Sequence, residues 1–129
     1  MILRLTALAA VLTVMPGFGS LGAQDLNSIA ERGATVYAGW CAHCHDRIPE
    51  GSALEILPGP ESLLLKYDGA LSPYIKERQD LANPDVISAY LRNGSGSMPP
   101  FRKTEISDAD IAAIAAYFTR TSSEASVNP

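Results

Sequence analysis

Cys41-Ala42-His43-Cys44-His45 gathers both cysteines and both histidines of the 129-residue chain into one C-x-x-C-H pentapeptide. On a helical turn, thiols three residues apart share a face, and each can add to one vinyl group of a porphyrin to form a thioether. The histidine that follows lies under the metal, where a neutral imidazole nitrogen is an axial donor. This is the attachment signature of a c-type haem. A zinc site needs about four convergent ligands, and the chain has no second Cys/His cluster to supply them. A thioredoxin-like C-x-x-C belongs in a β-α-β setting, whereas the flanks here read as helices. A structural disulfide leaves the abutting His45 without a reason. His43, an interior position of the motif, reads as a solvent-exposed spacer.

The second axial donor is sought among few residues. Of the three methionines, Met1 and Met15 fall in the N-terminal apolar segment, which leaves Met98. It stands between a Gly-Ser run and Pro99-Pro100, in a loop and not on an amphipathic face, and prolines fix the backbone that carries it. The ordinary alternative for a methionine is core filler. Ligation by His45 and Met98 raises the reduction potential relative to two nitrogen ligands and closes both axial positions. One-electron transfer through the haem edge is then the chemistry left. The competing function, a haem enzyme or a gas or peroxide sensor, needs a labile sixth position and a distal proton donor. Arg92, Arg102 and Lys103 are the candidates for that role, and they read more simply as solvated charges or propionate partners.

Leu5 to Met15 is an eleven-residue apolar run that follows Arg4 and is broken by Pro16-Gly17, with small residues at Ser20, Gly22 and Ala23. This is the layout of a secretory signal peptide over residues 1–23, with cleavage after Gly22 or Ala23. The run is short for a bilayer span, so membrane attachment is expected only if the signal is left uncleaved. Export to the periplasm fits the motif, because haem c is normally attached outside the cytoplasm. The remaining chain, about 106 residues, is one domain. Its nine basic and fourteen acidic residues give a net charge of −5, which argues against nucleic acid. It favours a partner patch rich in lysine or arginine, within a screening length of about 10 Å.

The periodicity is all-α. Ser28-x-x-Glu31 reads as a capping box opening a helix that carries Gly33, Val36, Tyr37 and Trp40 into the motif. Residues 46–61, with Pro49, Gly51, Pro58, Gly59 and Pro60, read as irregular, followed by a short turn of helix from Leu63 to Tyr67 that Asp68-Gly69 ends. Ser72-Pro73 and Asn83-Pro84 predict helices over 73–79 and 84–92. Thr104 or Ser107 opens the last helix, in which Ile111, Ile114, Ala115 and Phe118 recur at helical spacing. The folded domain is expected over 24–121, and residues 122–129 as a flexible tail.

With these residues the chain resembles the class I c-type cytochromes, small haem proteins that shuttle single electrons. The resemblance implies three to five short helices wrapped around one covalently attached haem, bound through Cys41 and Cys44, with its iron between His45 and Met98. It implies a first and last helix crossing where Gly33 and Tyr37 meet Ile114 and Tyr117. It also implies that a proline carbonyl, from Pro60 or Pro58, accepts the proton of the proximal imidazole. The family expectation is an electron carrier with redox-protein partners and no catalysis of its own. More finely, Tyr74-Ile75-Lys76, Leu91-Arg92-Asn93-Gly94, Met98-Pro99 and Phe101 are similar to the cytochrome subunit of p-cresol methylhydroxylase-type flavocytochromes. That likeness implies a periplasmic flavin dehydrogenase as donor, with electrons passed on to a respiratory acceptor. Phe101, with Pro99, Pro100 and Ala42, is expected either at an apolar rim of the haem edge or packed inside it.

Overall fold

A computed structural model describes residues 21–127. Most of the expected signal segment, residues 1–20, and the last two residues of the expected tail lie outside the described residues. Five α-helices follow one another: α1 (Leu21–Trp40), α2 (Ala42–His45), α3 (Pro58–Tyr67), α4 (Pro84–Asn93) and α5 (Asp108–Val127). Two 3₁₀ turns, Ile75–Glu77 and Gln79–Leu81, lie between α3 and α4, and there is no strand among the described residues.

The frame is the crossing of α1 and α5. A Cβ at Gly33 would stand 2.0 Å from the carbonyl oxygen of Ala113 and 2.9 Å from the nitrogen of Ile114. Only glycine lets the two backbones come so close. One turn on, Tyr37 packs its ring 5.6 Å from Tyr117 and, edge to face, 5.8 Å from Phe118. Tyr37, Ile87, Leu91, Ile106, Ile111, Ile114, Ala115 and Phe118 form the buried core. The crossing inferred from Gly33, Tyr37, Ile114 and Tyr117 is therefore present. At the outer end it is tied by Arg32, whose Nε and Nη2 both donate to Asp110.

Asp110 also closes the start of α5. Its backbone N–H donates to Ser107 Oγ, and its carboxylate accepts from the Ser107 backbone and hydroxyl, a reciprocal capping box. The hydrogen bonds from Ser107, opposed by partial burial and helped by Arg32, hold its carboxyl below the ordinary 3.8. At the other end α5 runs on to Val127, through the residues expected as a frayed tail. Ser123 and Ser126 donate to the carbonyls four residues back. Ser122 is buried, and Thr121 donates to the Lys76 carbonyl, so the helix is packed as far as Ser122, and it continues helical, with Ser123, Glu124, Ser126 and Val127 exposed.

Other boundaries also differ from the pattern reading. α1 begins seven residues before Ser28, whose hydroxyl donates back to the Asp25 carbonyl inside the helix and so caps nothing. α3 starts at Pro58, within the stretch expected to be irregular, because prolines in a first turn lack only N–H groups that have no helical partner there. The helix expected over 73–79 is replaced by the two 3₁₀ turns. Arg78 is extended between them (φ −100°, ψ 111°), and its side chain is buried. α4 is as expected, with the Asn83 side chain accepting from Asp85 N–H and Gly94 at φ 72° ending it.

Gly33→Val is expected to cost at least about 2 kcal/mol, since a well-packed crossing has no slack for the added atoms; denaturant unfolding of the purified protein measures it. The Asp110 carboxylate contributes stability that is fully present above its ordinary pKa of 3.8 and is lost as pH falls through the lower value it has when folded. Asp110→Asn should therefore flatten the fall in unfolding midpoint on the acid side of pH 4 while lowering stability at neutral pH, as pH-stepped urea titrations would read.

Candidate haem site

The end of α1 delivers the pentapeptide. Cys41 N–H continues the helical ladder to Tyr37 O, and Cys44 N–H and His45 N–H both return to Cys41 O at 3.1 and 3.0 Å. Cys41, Cys44 and His45 are thus held by one tight turn. Cys41 packs against the core, Cys44 is exposed, and neither is in a disulfide. Burial, with Cys44 adding to it, pushes the Cys41 thiol up to about 11, so it offers no reactive thiolate at neutral pH. Burial also moves His45 below its ordinary 6.5, which keeps the imidazole neutral, the form that donates to a metal. His43 is exposed, as its spacer role requires.

The chain leaving His45 is pinned at once. Asp46 accepts from Lys76 Nζ at 2.6 Å, and Arg47 donates to Glu77 at 2.7 Å while its guanidinium lies 3.9 Å from the centre of the Tyr74 ring. These pairs fasten the site to the first 3₁₀ turn, which α5 holds through Thr121.

On the side of α3, a Cβ at Gly59 would come within 2.4 Å of His45 Nδ1 and 2.5 Å of Cys44 O. Gly59 therefore seats the imidazole. The expected proline acceptor is not made. His45 Nδ1 is buried with no hydrogen-bond partner among the described residues. Pro60 is fully buried, but as a first-turn residue of α3 its carbonyl serves the helix's own ladder. The Pro58 carbonyl is engaged by Ser62 Oγ at 2.7 Å.

Met98 reaches the site from the loop after α4. Ser95 and Met98 exchange backbone hydrogen bonds, both 3.0 Å, and Gly94 both ends α4 at positive φ and leaves room where a Cβ would meet Met98 O at 2.7 Å. Phe101 N–H donates to Leu91 O at 2.6 Å. Arg92 donates to the carbonyls of Phe101 and Ile106 and to Asp108, so it bolts the loop to α4.

Cys41, Cys44, His45 and Met98 all line one cavity of about 290 Å³ whose walls include Leu63, Ile75, Ile87, Leu91, Ile114 and Phe118. Phe101 lines it from inside and meets Trp40 edge to face at 5.9 Å. Pro99 also lines it, whereas Ala42 and Pro100 do not. Arg92, Arg102 and Lys103 are absent from its walls; Arg102 is paired with Glu105 and Lys103 with Asp108. The charged side chains that do line it, Lys66 and Arg78, were not singled out by the sequence. Among the described residues no three His, Cys, Asp or Glu converge as a bare metal site would require.

A family model described as cytochrome c oxidase, cbb3-type, subunit III matches residues 28–118. A cytochrome c6 from Picosynechococcus sp. is 35% identical over 112 residues, covering 85% of this chain and 88% of that protein. No solved structure matches. The chain belongs to the class I c-type cytochromes. The cytochrome carries one covalently bound haem c with its iron, and it is an electron-transfer protein, not an enzyme. Its cavity fits that group: two thiols and a neutral imidazole stand at one end of it, a thioether joins them on its lining, and its walls are largely apolar.

Gly59→Ala is expected to displace the His45 ring and lower the yield of attached haem several-fold relative to Gly39→Ala, a position where a Cβ meets nothing within 4 Å. The ratio of haem to protein absorbance in material matured side by side reports it.

Proposed function

We propose that Cys41 and Cys44 hold the haem as thioethers, that His45 and Met98 are its axial ligands, and that the cytochrome carries single electrons in the periplasm from a dehydrogenase to a respiratory acceptor. The observation that supports this most is the meeting of all four residues, brought from the turn Cys41–His45 and from a loop more than fifty positions on, at one cavity against the core. When bound, the haem supplies a one-electron ferric/ferrous couple. The Met98 thioether, a soft donor, favours the ferrous state. The tight Ser95–Met98 turn and the Arg92 bolt limit its departure, so both axial positions are kept closed to small ligands. Trp40 and Phe101, edge to face, cover one flank. Gly59, in place of a proline carbonyl, sets the ring of His45 by close packing.

The exposed face next to this cavity is where a redox partner docks in this reading. Trp40 is 47% exposed, and Cys44 and Pro99 are exposed beside it. The contact suits a transient complex with an apolar centre and a charged rim. Leu91-Arg92-Asn93-Gly94 followed by Met98-Pro99 and Phe101 resembles the p-cresol methylhydroxylase-type cytochrome subunits, which supports a flavin dehydrogenase as the donor. The periplasmic location rests on the signal-like residues 1–23. No helix among the described residues is long and apolar enough to cross a membrane.

The ferric protein, made in a host that attaches haem c, is expected to be low-spin with the weak sulfur-to-iron charge-transfer band, and Met98→Ala is expected to lose the band and fall in reduction potential. A high-spin wild type without the band would instead support the ligand-sensing alternative. Native co-purification that brings down a flavoprotein checks the donor, and an N-terminus near Ala23 or Gln24 checks export.

A further inference from the structure

α3 turns Gly59, Ser62, Leu63, Lys66 and Tyr67 to the cavity. That leaves Glu61, Leu64, Leu65 and Asp68 on its outer side, at the i, i+3, i+4, i+7 spacing of one helix face. Both leucines are in solvent there, Leu65 with 81% of its surface exposed, and Leu54 before the helix and Leu71 after it are exposed as well. An acid stands at each end of the leucine pair, and Glu50 and Glu55 precede the helix. None of these four carboxylates is in an ion pair among the described residues, whereas Asp46, Glu77, Asp80, Glu105, Asp108 and Asp110 each have a basic partner. The one base between residues 50 and 71, Lys66, lies over the Tyr67 ring, 5.2 Å from its centre, on the cavity side of the helix.

A single leucine in solvent is ordinary, but an adjacent pair framed by unpaired acids has the anatomy of an interface, an apolar centre with a charged rim. The charge decides what fits it. Anionic lipid headgroups are repelled by the rim. A second copy is repelled too: in a twofold pair the stripe meets itself, so Glu61 faces either Asp68 or its own equivalent, and like charges oppose. A protein that presents lysines or arginines around an apolar socket satisfies both the leucines and the rim. We propose that the outer face of α3 is a second docking surface, for a protein of that kind, occupied while the Trp40 face stays open to a redox partner. The two faces belong to different elements. Trp40 ends α1 and meets Phe101, and both line the cavity, whereas the leucine pair lies on the side of α3 turned from it. Because α3 packs on His45 through Gly59, a protein seated on its outer face stands behind that wall and leaves Trp40 uncovered. Neither the stripe nor its charge depends on which residues bind the iron.

The probe is a synthetic helical peptide of leucine and lysine, basic around one apolar face, titrated into nitrogen-15-labelled ferrous cytochrome matured with its haem. The largest amide shifts are expected in residues 61–71. Affinity is expected to fall by about tenfold in Leu65→Ser, a factor of the order that burying one leucine supplies, and to fall likewise when Glu61→Lys and Asp68→Lys are combined. Added salt weakens the contact, since the rim is exposed and screened. Leu26→Ser is the control: Leu26 is also an exposed leucine beside an acid, Asp25, but on α1, and its loss leaves the affinity unchanged. Every altered side chain is in solvent, so the variants keep the fold, and an unchanged haem spectrum checks that they do. Shifts centred on Trp40, or spread evenly over Asp25, Glu31 and Glu124, overturn the proposal. So does an affinity that Leu65→Ser leaves intact, since the contact is then charge alone. Broadening of the α3 signals with rising concentration of the cytochrome alone assigns the face to a second copy, and broadening with phosphatidylcholine vesicles assigns it to a membrane; either result overturns the proposal. A chain that takes up no haem sinks the electron-carrier reading instead, and is seen before any titration.

Discussion

The backbone contact of Gly33 with Ala113 decides where the other elements go. With the axes of α1 and α5 this close, the aromatic rings of Tyr37, Tyr117 and Phe118 interlock one turn further along. The last residue of α1, Trp40, then meets Phe101 edge to face. The pentapeptide begins at the next residue, so Cys41 packs on the core and His45 is turned toward the cavity that Ile114 and Phe118 wall from α5. One missing side chain thereby couples helix packing to the position of the attachment site. The same logic recurs at Gly59, where the close neighbour is the imidazole and not a helix backbone.

Between these helices the chain has little regular structure, and side-chain bonds replace it. The pairs Asp46–Lys76 and Arg47–Glu77 join the loop leaving the motif to the first 3₁₀ turn. Arg92 joins the end of α4 to two carbonyls of the following loop. Such pairs add little when fully exposed, but those of Lys76 and Arg92 are half-buried and multiply bonded. A domain this small buries too little of its own surface to be comfortably stable. A large apolar cofactor against Ile87, Leu91, Ile114 and Phe118 supplies the area that these loops do not.

The sequence showed the motif, the all-helical class, the methionine loop and α4, because each rests on local spacing or on a residue with one strong physical use, while the Gly33 crossing came through the family resemblance. What it concealed depended on distant partners. Ser28 has the composition of a cap, yet helix-compatible residues precede it and the helix passes through it. Pro58 and Pro60 have the composition of breakers, yet they initiate α3, since a first turn tolerates them. The serines after Thr121 suggested a loose end, but they bond back along α5 and one of them is buried. Gly59-Pro60 drew attention to the proline, whereas the glycine makes the closer contact with His45. Arg78 had no signal at all: among ten basic residues, only the fold shows which one turns inward.

In the proposed ligation the two axial sides are built by different physics, and this ranks their robustness. His45 is fixed by hydrogen bonds within five residues of the chain and by a helix packed directly on its ring. Contacts so local form with little loop-closure cost and are lost last. Met98 is placed by a four-residue turn whose position depends on Arg92 reaching two carbonyls and on Trp40 meeting Phe101 across a long stretch of sequence. Each of those contacts is partly exposed, and none is buried in the core. Conditions that loosen the fold without unfolding it should therefore release Met98, the proposed ligand, while Cys41, Cys44 and the imidazole stay in place. With Met98 as the proposed sixth ligand, the sixth position and not the haem attachment is the conditional part of this cytochrome, and the side-chain bonds around α4 set how conditional it is.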